Sequence, residues 1–238
     1  IRVGARSIGA GFATHRQGPP MPRRSRVIAV VNQKGGVGKT TTAVNLAASF
    51  AVSERPTLLI DLDPQGNSSS AYGVLNPDRQ IYDALIGDCV MKDATYPTDL
   101  EHLHLVPSGP DLVGAEIELV TAEARERCLE RALADVRDLY DLILIDCPPS
   151  LGILTLNALT AADGVLIPLQ CEYYALEGLA RLTETLELVR SGLNPDVVLD
   201  GIVLTMVDRR NNLAAQVEAE VRRHFGDQVL RTHIPRNV

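Results

Sequence analysis

Short apolar runs recur along the chain, separated by stretches with helical spacing. Val27-Ile28-Ala29-Val30-Val31 is apolar throughout and rich in β-branched residues, the pattern of a strand buried on both faces of a parallel sheet. Thr57-Leu58-Leu59-Ile60-Asp61 and Leu142-Ile143-Leu144-Ile145-Asp146 repeat it, and each ends in a carboxylate. Leu103-His104-Leu105-Val106-Pro107 is a further strand candidate, and residues 164–168, 201–206 and 229–234 complete the set. Helical spacing fills residues 41–50, 114–138, 152–161, 175–191 and 212–225, while the polar residues 76–101 predict short surface helices. The alternation predicts an α/β fold, a doubly wound, mostly parallel sheet flanked by helices, with its ligand at the carboxyl ends of the strands. No repeat or low-complexity linker divides residues 27–238, which predicts one domain.

Composition narrows this picture only at its edges. The 238 residues are 45% apolar and 22% charged, enough for one well-buried domain, and no apolar stretch is long enough to span a membrane. Cys89, Cys128, Cys147 and Cys171 form neither a C-x-x-C pair nor a metal-ligand spacing. They read as scattered reduced thiols of a cytosolic protein and argue against iron–sulfur or zinc. A formal charge of −7 argues against a broadly basic surface and leaves room for a local arginine patch. Residues 1–26 differ: they hold Arg2, Arg6, Arg16, Arg23, Arg24 and Arg26 with no carboxylate, and are expected to be disordered. They read as a translated upstream region with Met21 as the start, in preference to a transit peptide or a basic arm that touches DNA or a partner.

The chemistry concentrates in Gln33-Lys34-Gly35-Gly36-Val37-Gly38-Lys39-Thr40-Thr41, between the first strand and the first helix. A phosphate-cradling loop needs glycines that let backbone N–H groups turn inward, a lysine for the β/γ-phosphates and a hydroxyl for Mg²⁺. Gly38-Lys39-Thr40 supplies that ending, and the following helix aims its positive end at the phosphates. The usual pattern has a glycine at 33; here Gln33 stands there, followed by an extra lysine, Lys34. This is a deviant Walker A loop, and a second loop lysine implies a second task.

Three carboxylates close the strands. Asp146 ends a buried run and faces the crevice, where it can hold Mg²⁺ through water; Asp61 and Asp63, two apart, can serve metal and attacking water separately.

With these residues in place, the chain resembles the ParA/Soj family of chromosome-partitioning ATPases, P-loop NTPases of the deviant Walker A type. The likeness lies in Gln33–Thr42, Asp61–Asn67, Asp146–Gly152, Gln170–Gly178, Leu204–Asp208 and Ile234–Val238, and covers residues 27–238. It implies that Lys39 binds the β/γ-phosphates, that the backbone of Gly35, Gly36, Val37, Gly38, Lys39, Thr40 and Thr41 cradles ATP or ADP, and that Thr40 ligates Mg²⁺ with Asp61 and Asp146 in the outer shell. Asp63 would position the water. Lys34 would reach the partner's nucleotide in an ATP-state homodimer, as an arginine finger does elsewhere. Met206, Asp208 and Pro235 would hold the adenine.

The resemblance further implies slow, partner-stimulated hydrolysis, a ParB/Spo0J-type centromere-binding partner, no membrane partner and a cytoplasmic, nucleoid-associated protein. It also implies non-specific double-stranded DNA binding at Arg209 and Arg210, with Arg222, Arg223, Arg231 and Arg236 as extensions of the patch. Relatives continue past Pro235-Arg236-Asn237-Val238, so the chain is expected to be truncated. The rival is a MinD-like membrane-cycling cell-division ATPase, whose membrane signature is a C-terminal amphipathic helix; the Gln170–Gly178 and Ile234–Val238 segments favour ParA. A nitrogenase-type reductase lacks its cysteine pair here, and the full set Lys34, Asp63 and Asp146 argues against a switch without turnover.

Overall fold

The computed structural model describes residues 25–208, 210 and 212–236. Residues 1–24 of the basic segment, Arg209 and the terminal Asn237 and Val238 lie outside these, and with them the expectations made for those positions. Strands β1 (Arg26–Val30), β2 (Thr57–Asp61), β3 (Tyr96–Pro97), β4 (Leu103–Val106), β5 (Leu142–Asp146), β6 (Gly164–Gln170), β7 (Val198–Val207) and β8 (Val229–Pro235) form one sheet. Its order is β3-β4-β2-β5-β1-β6-β7-β8, and every pairing is parallel except β3 with β4. β3 is a two-residue edge that no periodicity announces; Pro97 is tolerated there because an edge leaves its missing N–H unneeded.

The fully buried β2 and β5 pair in register, Thr57 to Leu142 through Asp61 to Asp146. That register sets the two strand-end carboxylates side by side. β1 lies on the other side of β5, so the loop after Val30 opens beside Asp146.

The helices are α1 (Lys39–Val52), α2 (Asn67–Ala71), α3 (Ile81–Ile86), α4 (Leu112–Glu118), α5 (Cys128–Ala132), α6 (Ile153–Ala161), α7 (Ala175–Gly192) and α8 (Asn212–Phe225). α1 presents Ala43, Ala47 and Ala51, spaced by four, to Leu59, Leu103, Leu105, Leu142 and Leu144 on one face of the sheet. The other face carries the larger core, to which α3 through α8 contribute. Residues 114–138 are a chain of short turns where one amphipathic segment was expected. Ala122 is extended and Ala124 left-handed (φ 48°), while Leu119, Leu129 and Leu133 stay buried. The apolar positions were legible; the breaks fall at alanines, which signal none.

Candidate functional site

The loop of residues 31–38 is anchored at both ends. Asn32 donates from its side-chain amide to the Pro168 carbonyl at 2.7 Å and accepts the Lys34 N–H at 2.9 Å. Pro168 sits in β6 just past the point where β1 has left the ladder, so its missing N–H has no strand partner to disappoint. On the other side, the Thr205 hydroxyl of β7 donates to the Val37 carbonyl at 2.7 Å. Between these anchors Gly36 (φ 74°) and Gly38 (φ 88°) take the left-handed conformation that glycine alone adopts freely. Gly38 caps α1, whose first-turn N–H groups have no helical partners.

Lys39 opens α1 and is buried, and among the described residues its ammonium makes one hydrogen bond, a long contact of 3.3 Å to the Lys34 carbonyl. Burial lowers its pKa, and Asp146 and Asp63 act in the opposite direction. A buried ammonium with so little direct solvation is suited to receive an anion. Lys34 lies exposed, and its ammonium pairs with Glu172 of the same chain.

The three aspartates converge. Asp61 is fully buried; its Oδ2 accepts both the N–H (2.8 Å) and the hydroxyl (2.7 Å) of Ser69, and its Oδ1 accepts the Asp63 N–H at 3.3 Å. Asp146 accepts the Ser68 hydroxyl on Oδ2 at 2.8 Å, while its buried Oδ1 has no hydrogen-bond partner among the described residues. Burial pushes the Asp61 carboxyl up to about 6, against the Ser69 bonds that favour its charge. Burial likewise pushes Asp146 up to about 7, with the neighbouring Asp61 adding to it and the Ser68 and Thr40 hydroxyls opposing. Asp63, largely buried, accepts the Gln65 N–H at 3.0 Å.

These groups fit a magnesium nucleotide. The orphaned Asp146 oxygen suits a metal-bound water, Thr40 supplies a hydroxyl, and Lys39 supplies the cation. Among the described residues no group of three His, Cys, Asp or Glu side chains could hold a metal ion.

Beyond the loop, Gly38, Thr41, Thr42, Thr205, Met206 and Pro235 line a cleft of about 450 Å³. Met206 has φ 51°, a left-handed conformation that a bulky side chain rarely adopts. Such strain at a strand end beside a cleft marks a place where geometry outweighs local preference. Asp208 is held by Arg210 through side-chain bonds of 3.0 and 2.9 Å, and that guanidinium lowers its pKa to about 2. Thus the proposed adenine and DNA residues Asp208 and Arg210 are partners. Arg222 and Arg223 on α8 pair with Glu218 and Glu220, whereas Arg231 and Arg236 are exposed.

Sequence reasoning missed Ser68, Ser69, Asn32 and Thr205. The only available signal was the hydroxyl run Ser68-Ser69-Ser70 directly after the Asp61–Asn67 segment.

A family model described as an AAA domain matches residues 25–199. The chain is 58% identical over 215 residues to the chromosome partitioning protein ParA of Myxococcus xanthus, covering 90% of this chain and 76% of that one. It is 53% identical to the sporulation initiation inhibitor protein Soj of Bacillus subtilis, covering 90% and 85%. Among solved structures it is similar to a Mycobacterium smegmatis protein described as cobyrinic acid a,c-diamide synthase, crystallised with ADP and magnesium. The TM-score is 0.84 at 42% identity, over 90% of this chain and 87% of that one.

Proposed function

Because the chain belongs to the ParA/Soj family of chromosome-partitioning ATPases, we propose that it is an ATP-driven dimerising switch that binds DNA without sequence preference in its ATP state. The higher identity lies with the partition proteins, so the reading follows them rather than the diamide synthase. The observation that supports the nucleotide site in this reading is the buried, sparsely bonded Lys39 ammonium within the field of Asp146, whose Oδ1 has no partner among the described residues.

In this reading Lys39 and the N–H groups of Gly35 to Thr41 hold the phosphates of ATP or ADP. Thr40, with Asp61 and Asp146 behind it, holds Mg²⁺, which when bound neutralises charge on the phosphate oxygens. Asp63 orients the attacking water. Met206, Asp208 and Pro235 frame the adenine. Lys34 leaves Glu172 and presents its charge to the partner's phosphates, which is why closure requires two copies. Arg209 and Arg210, with other arginines extending the patch, then meet DNA phosphates, and a centromere-binding partner stimulates hydrolysis and release.

Retention on DNA and sedimentation with ATP, ADP and no nucleotide test this. ATP alone should give a dimer that binds DNA, with retention falling steeply as salt rises. ATP-dependent binding to anionic liposomes with none to DNA would replace this reading with the MinD-like one.

A further inference from the structure

Two hydroxyls on a five-residue helix control the carboxylates of the site. Ser68 and Ser69 are adjacent on α2, and neighbours on a helix point about 100° apart. They therefore reach different strands: Ser68 bonds Asp146 at the end of β5, and Ser69 bonds Asp61 at the end of β2. Both serines are buried, 0% and 2% exposed, and the bonds are short at 2.8 and 2.7 Å. Ser69 oxygen also accepts the Ser108 N–H at 2.9 Å, which leaves its own proton for Asp61. The Ser68 hydroxyl restrains the Asp146 carboxylate through Oδ2, with the Thr40 hydroxyl also favouring its charge, and Oδ1 has no hydrogen-bond partner among the described residues.

The same helix is joined to Asp63. The Gly66 N–H bonds the Asp63 carbonyl at 2.9 Å, Gly66 is left-handed (φ 62°), and α2 starts at the next residue. A helix this short has no stability of its own, so these bonds fix it as much as it fixes the aspartates.

We propose that Ser68 and Ser69 are positioning residues for the metal: they hold Asp146 and Asp61 in the orientation that Mg²⁺ requires, and α2 links that orientation to Asp63. The proposal rests on the reading of the site as a magnesium nucleotide site. A merely structural role for the serines would change stability without changing the metal dependence of nucleotide binding.

The test is a titration of the full chain with a fluorescent ADP analogue, in EDTA and across a series of Mg²⁺ concentrations, for Ser68→Ala, Ser68→Cys and Ser69→Ala. Cysteine nearly preserves the serine shape but is a weak donor, so Ser68→Cys keeps the test open if alanine compromises folding. Affinity in EDTA should match wild type. The Mg²⁺ midpoint should rise by up to about tenfold in the Ser68 variants, the low end of the range for groups that orient metal ligands, because Asp146 itself reaches the metal through water. Ser69→Ala should also raise it and additionally lower the melting temperature, because the Ser108 N–H loses its acceptor. An unchanged Mg²⁺ midpoint in a folded Ser68 variant, or an equal loss of affinity in EDTA, overturns the proposal. A wild-type chain whose ADP affinity ignored Mg²⁺ would instead overturn the site reading, and the serine proposal with it.

Discussion

Replacing Asp146 with asparagine should stabilise the metal-free protein, and by an amount that grows with pH. Burial raises the Asp146 carboxyl from its ordinary 3.8 to about 7. Between those values the folded chain keeps a proton that the unfolded chain has lost, so stability falls as pH rises through the window and stays low above it. Each unit is worth about 1.4 kcal/mol, so the full cost of the buried charge at pH 8 is about 4 kcal/mol. Asparagine does not titrate and can still accept the Ser68 hydroxyl through its carbonyl. The advantage of Asp146→Asn over wild type should therefore widen by about 3 kcal/mol between pH 5 and pH 8. For a domain of this size that is about 6–12 °C in melting temperature. Thermal melts in chelator at the two pH values measure it directly. A variant no more stable than wild type at pH 8, or an equal gap at both pH values, would refute the argument that this carboxylate is strained by burial.

Lys39→Ala should lower nucleotide affinity at least a hundredfold in a fluorescence titration, since no other buried cation faces the loop among the described residues; near-native affinity would remove Lys39 from the phosphate site. Lys34→Ala should leave nucleotide affinity within about threefold of wild type, because its present partner is an exposed carboxylate worth about 0–1 kcal/mol, yet abolish the ATP-dependent dimer in sedimentation. A dimer that persists would show that Lys34 does not act across the interface. Asp63→Ala should cut turnover at least tenfold while trapping the ATP-bound dimer, and unchanged phosphate release would sink its role with water. Arg210→Ala should weaken DNA retention and flatten its salt dependence by about one unit of log–log slope; no change would place the DNA contact elsewhere.

The strands were legible because a strand buried on both faces writes an unbroken apolar run, as Leu142–Ile145 does. The loop was legible because its glycines, lysine and hydroxyl must be consecutive. What stayed hidden depends on strand order. Nothing in the sequence says that β2 lies beside β5, so the side-by-side placement of Asp61 and Asp146 emerges only from the register. Lys34 and Glu172 meet across 138 residues of chain, and Thr205 reaches Val37 across 168. Helix α2 is too short to display a period, so Ser68 and Ser69 look like loop residues until the fold places them.

Thr205 and Met206 are consecutive, and the pairing of their tasks makes the end of β7 a ruler. Thr205 grips the loop at Val37, and the very next residue turns the chain through a left-handed backbone into the wall of the cleft. One joint thus sets the span between the loop at Val37 and the Met206–Pro235 wall, with no residue between Thr205 and Met206 to take up slack. On the proposed reading of the site, selection by length would follow from the backbone itself: a nucleoside with its phosphates either fits that span or loses one end of its grip.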